Sequence, residues 1–142
     1  MSYKKIKSFG ELARVDKPIG IYLLLWPSLL GFLLAGTQNI LNIKDFMIVV
    51  IGSVIVRSCG CVINDISDYK IDKLVSRTAG RPLATGALTI LEAWMFFIVL
   101  GLLSILLLLL TNSLTFKIAT FFAFLICIYP VSYTHLTLPT RL

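Results

Sequence analysis

Residues 64–86 read Asn-Asp-Ile-Ser-Asp-Tyr-Lys-Ile-Asp-Lys-Leu-Val-Ser-Arg-Thr-Ala-Gly-Arg-Pro-Leu-Ala-Thr-Gly, and they follow directly on an apolar run of membrane length. On a helix advancing about 100° per residue, Asn64, Asp65, Asp68 and Asp72 share an arc of roughly 100°. Carboxylates spaced i, i+3 and i+4 repel one another, so stacking them at a membrane surface calls for a cation between them. Oxygen-only ligands suit a hard ion, Mg²⁺ before Zn²⁺, and Mg²⁺ held by few carboxylates commonly shares its shell with a phosphate. A merely solvated acidic helix end fits less well. The acids are concentrated here, and only Glu11, Asp16, Asp45 and Glu92 lie elsewhere.

The 142-residue chain is 58% hydrophobic and 14% charged, a balance that belongs to a membrane protein. It has room for about four spans of roughly 20 residues, at Ile19–Gly36, Phe46–Ile63, Ala93–Leu110 and Leu114–Val131, with Lys117 snorkelling to the interface. Pro18 suits the first turn of the first span, and Pro27 is expected to kink it. A short polar loop, Thr37–Asp45, separates the first two runs. The fold class is therefore all-α, a multi-pass transmembrane bundle. A net charge of +6 does not point to nucleic acid, because the basic residues flank apolar runs and form no patch interleaved with aromatics. Cys59, Cys61 and Cys127 lie inside apolar runs, and Cys-x-Cys with no nearby His is not a zinc pattern. No cleavable signal peptide is expected: the first apolar run starts late, is long and lacks an Ala-x-Ala site.

Charge asymmetry gives the orientation. Lys4, Lys5, Lys7, Arg14 and Lys17 precede the first run, and Lys70, Lys73, Arg77 and Arg81 lie in segment 64–90, whereas the other loops offer only Lys44 and Lys117. The N-terminus and the Asp-rich segment are expected to be cytoplasmic. Arg57 interrupts the second run, where an arginine costs about 2.5–3.5 kcal/mol on insertion scales and normally faces a polar cavity or a partner. It lies about two turns before Asn64 and on nearly the same face, so it reads as a cavity-facing cation able to meet an anion. Arg77 and Arg81, four apart, serve either as positive-inside markers or as a bidentate clamp on phosphate oxygens. The charges of Arg14–Gly20 are accounted for equally well as a site mouth or a membrane anchor belt.

The spacing Asn-Asp-x-x-Asp-x-x-x-Asp followed by Arg-Thr-x-x-Arg-Pro-Leu-x-x-Gly resembles the UbiA-type intramembrane aromatic prenyltransferases. Within that superfamily, Arg14-Val-Asp-Lys-Pro-Ile-Gly20, Leu24-Leu-Trp-Pro27 and Arg57-Ser-Cys-Gly-Cys-Val-Ile-Asn64 are most similar to the branch that prenylates 4-hydroxybenzoate in ubiquinone synthesis. The similarity runs from about residue 8 to Pro130. It implies a bundle of about nine spans, two Asp-rich motifs holding Mg²⁺ on a polyprenyl diphosphate, and transfer to an aromatic acid acceptor inside the lipid bilayer, in a bacterial-type inner (plasma) membrane. Carried over residue by residue, Asn64, Asp68 and Asp72 are the implied metal ligands. Asp68 and Asp72, with Asp65 beside them, are the implied catalytic set, and Arg57, Arg77 and Arg81 are the implied diphosphate-binding residues.

Two departures from the family pattern shape the remaining expectations. The second Asp-rich motif is absent, and after Tyr129-Pro130 the chain lacks the Lys-Arg pair usual in the family. Residues 1–130 are expected to be the N-terminal half of a transmembrane prenyltransferase domain, catalytically incomplete alone, and residues 131–142 a non-native tail. His135 receives no role. Other superfamily acceptors, homogentisate, a naphthoate or haem, remain open. An alcohol phosphatidyltransferase is disfavoured by the missing Asp-Gly-x-x-Ala-Arg signature. A cation transporter subunit is disfavoured because the acids sit at one end rather than within the spans.

Overall fold

The computed structural model describes residues 3–35 and 42–136, and in the last helix the backbone alone at 126, 127 and 129–136. All regular structure among the described residues is helical: α1 (Tyr3–Leu12), α2 (Ile19–Ala35), α3 (Ile43–Asp72), α4 (Ile90–Leu109) and α5 (Ser113–Leu136). The side chains of Cys127 and His135, much of the 37–45 loop and residues 137–142 lie outside the described residues.

Helix α3 joins what the sequence divides into a span and a polar segment. Its start comes before Phe46, at an Asn42 N-cap whose side chain accepts from the Lys44 N–H. At 1.5 Å per residue its 30 residues extend about 45 Å, well beyond a hydrocarbon core of about 30 Å. The last turns therefore carry Asn64, Asp65, Asp68 and Asp72 past the apolar part on a rigid rod. Helices α3 and α4 are long and apolar enough to cross a membrane, while α2 and the 113–125 part of α5 are apolar but shorter. Two of the four expected spans thus meet the requirement of length and hydropathy together, and the backbone of α5 runs 24 residues. Helix α2 continues through Pro27, and one turn of it gains a side-chain bond from Ser28 to the Leu24 carbonyl.

Helix α3 touches all four other helices. The buried core lies at its charged end. Leu12 of α1, Val62 and Ile66 of α3, Leu83 and Leu88 of the 73–89 segment, and Ala93 of α4 pack together, with Phe9, Tyr69, Phe96, Phe97 and Leu100 around them. Each fully buried Leu or Val contributes about 1.5–3 kcal/mol. Leu23, Trp26 and Leu34 on α2, and Leu102, Leu106 and Leu109 on α4, are instead exposed, as suits surfaces that meet lipid rather than water.

Helix α1, placed in a tail read only as polar and basic, is held by this core. Leu12 is fully buried, and the Phe9 ring lies 5.1 Å from that of Phe96. Lys5 pairs with Glu92, which also closes a capping box with Thr89 at the start of α4. The 73–89 segment folds back on α3: the buried Thr78 hydroxyl donates to the Asp72 carbonyl at 3.1 Å, and Leu88 N–H donates to the Pro82 carbonyl at 3.2 Å. Gly86 supplies the left-handed backbone this turn needs, with φ at 78°.

Candidate functional site

Four side chains form a connected chain of charges where α1, α3 and the 73–89 segment meet. Asp65 is 2% exposed. Its Oδ1 accepts from Arg14 Nη2 at 2.9 Å and from Arg81 Nη1 at 3.1 Å. The same Arg81 nitrogen donates to Asp72 Oδ2 at 2.6 Å. A carboxylate buried without partners costs several kcal/mol; burial still holds the Asp65 carboxyl above its ordinary pKa, and the two guanidinium donors offset part of that cost. Burial lowers the pKa of Arg14, but the hydrogen bond and charge of Asp65 outweigh it and hold the guanidinium above its ordinary value.

Asp68 is only half-buried. It feels repulsion from Asp72 and attraction from Arg81. Asn64 is exposed on the same helix. Among the described residues, no group of three or more His, Cys, Asp or Glu side chains is placed to hold a metal ion. The donors present still fit a hard cation in part. All are oxygens, and the Asp68–Asp72 repulsion is what a divalent ion relieves. They supply part of a shell, as is usual where Mg²⁺ keeps waters and phosphate oxygens.

Beside this chain lies a cleft of about 530 Å³ lined by Arg14, Lys17, Arg77 and Arg81 against Glu11, Asp16 and Asp65. The lining has four cations against three carboxylates, a formal excess of one positive charge. Arg77 is exposed in it. Arg57 lies in the seam between α2 and α3, its guanidinium against Gly20, where an added Cβ would stand 2.7 Å from Nη2. Arg57, Arg14 and Lys17 share a smaller cleft of about 170 Å³. The structure thus brings Asp65, Asp72 and Arg81 into direct contact and sets Arg77 on the adjoining wall. Arg57 borders a neighbouring cleft, and Asn64 and Asp68 stay on the more open side of α3.

Arg14 is the residue whose role sequence reasoning left undetermined between mouth and anchor. Spacing alone held no signal for it: Arg14 is called for only once Asp65 is known to be buried, since a buried carboxylate needs a cation. Thr78, which ties the 73–89 segment to the end of α3, carried no signal either.

The sequence profile described as the UbiA prenyltransferase family matches residues 24–140. The chain is similar to proteins named 4-hydroxybenzoate octaprenyltransferase from three Shewanella species. It is 42% identical to that of Shewanella loihica over 135 residues, which are 95% of this chain and 47% of the relative. For Shewanella denitrificans the identity is 44%, over 89% of this chain and 43% of the relative. For Shewanella woodyi it is 40%, over 98% of this chain and 49% of the relative. The chain spans about half the length of these curated relatives. No solved structure matches.

Proposed function

The chain belongs to the UbiA prenyltransferase family, and from that premise we propose that it serves the Mg²⁺-dependent transfer of a polyprenyl group from polyprenyl diphosphate to an aromatic acceptor, 4-hydroxybenzoate in ubiquinone synthesis. The observation that carries this reading is the carboxylate–arginine chain at the end of α3, beside an electropositive cleft. The names of the relatives favour 4-hydroxybenzoate over homogentisate, naphthoate or haem acceptors.

In this reading Arg77 and Arg81 receive the diphosphate in the cleft, and Arg57 stands at its membrane side. Asn64, Asp68 and Asp72 would hold Mg²⁺, which supplies positive charge against the diphosphate. The guanidinium groups stabilise the negative charge that grows on the leaving diphosphate as the allylic C–O bond breaks. The acceptor ring forms the new C–C bond ortho to its hydroxyl and loses a ring proton. Enclosure in the membrane keeps water from competing for the allylic carbon. Residues 1–130 form the N-terminal half of the prenyltransferase domain, with the N-terminus and residues 64–90 on the cytoplasmic side of a bacterial plasma membrane. The opposing Asp-rich motif of the family would complete the metal shell.

Binding of geranyl diphosphate to the chain in lipid nanodiscs, titrated with Mg²⁺, tests the reading. Metal-dependent binding lost in Asp68→Asn supports it. Cation flux in liposomes without diphosphate binding would instead favour a transporter subunit.

A further inference from the structure

Arg14 ends helix α1 in a conformation that suits glycine. Its φ is 56°, its N–H donates to the Glu11 carbonyl at 3.1 Å, and the Val15 N–H donates to the Gly10 carbonyl at 3.0 Å. This bond pair ends many helices, with the left-handed residue usually glycine because a Cβ is strained there. An arginine at this point places its guanidinium on Asp65 Oδ1. Arg81 meets the same oxygen from the far side of the chain's turn back along α3. Asp65 is 2% exposed, so a cation could reach that oxygen only by displacing both arginines.

We infer that Asp65 is a positioning residue rather than a metal ligand: one carboxylate oxygen fixes Arg14 and Arg81, from the α1–α2 junction and the 73–89 segment, on the wall of the anion cleft. Arg14 thereby joins the anion site, and Asp72 secures Arg81 from its other side. The identity of the anion as a diphosphate rests on the function proposed above; the geometric claim does not.

Two measurements on the full chain in nanodiscs test this. In a background lacking the native cysteines, spin labels at Val15→Cys and Gly80→Cys report how firmly the two segments are held. Asp65→Asn should broaden the distance distribution at least twofold. Asp68→Asn removes an equal charge one turn away and should leave it as in the parent. Equal widths for the parent and Asp65→Asn, or equal broadening by Asp68→Asn, would overturn the inference. Should Asp65→Asn not fold, Arg14→Gln cuts the same bond from the other end, and the same broadening is expected.

The second measurement is the affinity for inorganic pyrophosphate without metal. Neutralising Asp65 makes the cleft more positive, so a charge effect alone tightens binding. Loss of positioning weakens it, and we expect about a tenfold loss in Asp65→Asn with Mg²⁺ half-saturation unchanged. Tighter binding, or a shift confined to Mg²⁺, would overturn the inference. A parent chain that does not bind pyrophosphate defeats the proposed function, while the spin-label comparison still decides the role of Asp65.

Discussion

Asp68 lies one turn from Asp72 on α3 and repels it, whereas Arg81 donates to Asp72 directly, so substituting the two should move stability in opposite directions. Asp68 repels Asp72, and like charges at i, i+4 cost about 0.2–0.5 kcal/mol on a helix. Asp68→Asn is expected to leave the metal-free chain as stable as the parent or slightly more so, while abolishing Mg²⁺-dependent diphosphate binding. Thermal unfolding in detergent and the nanodisc titration check the two halves. A loss of both stability and binding would mean that Asp68 is a structural residue. Arg81→Gln leaves Asp65 and Asp72 short of a shared donor, and breaking such a pair costs about 1–3 kcal/mol at a partly exposed guanidinium. A lower unfolding midpoint is the expected readout. At this scale the spacing of Asn64, Asp65, Asp68 and Asp72 was legible because helical angles follow from residue number. It could not tell which of the four is buried, since that depends on what packs against the helix.

The helices differ in how much of each was legible. α2, α4 and the apolar part of α3 follow from runs long enough to need no partner for their backbone polarity. α1 is a 10-residue basic helix, too short to be stable alone, and exists because Phe9 and Leu12 dock on the core. Leu12→Ala should therefore cost about 2–5 kcal/mol and release α1 from α4. Leu34→Ala, at an exposed position on α2, should cost much less. Proteolysis within residues 3–17, faster for the first variant than for the second, gives the comparison. Thr89→Ala removes the N-cap of α4 and half of its capping box, with an expected loss of about 1 kcal/mol. The unfolding midpoint measures it directly.

Across the whole molecule, the proposed topology, drawn from the charge asymmetry, has residues 64–90 and 111–116 on opposite sides of the membrane. Single cysteines at Ser76 and Asn112, in a background without the native three, should react with an impermeant maleimide from opposite faces. Labelling of both from one side would remove the topology on which the proposed site depends. This chain alone is expected to show no measurable prenyl transfer to 4-hydroxybenzoate, because the described residues supply one bank of oxygen donors and one wall of the cleft. Mg²⁺-dependent transfer by the purified chain would overturn that expectation. Hydropathy was enough to reveal a helical membrane protein, because it is a property of composition and local periodicity; the direction of the charged end and the residues that would hold a cation and an anion are what the charge pattern and spacing lead one to propose. The pairing of Arg14 with Asp65, the bridge from Arg81 to Asp72 and the placement of Arg57 against Gly20 arise only when α1, α2 and the 73–89 segment pack on α3. Each joins residues from different segments of the chain, and burial, rather than spacing, selects the partner that a buried charge requires.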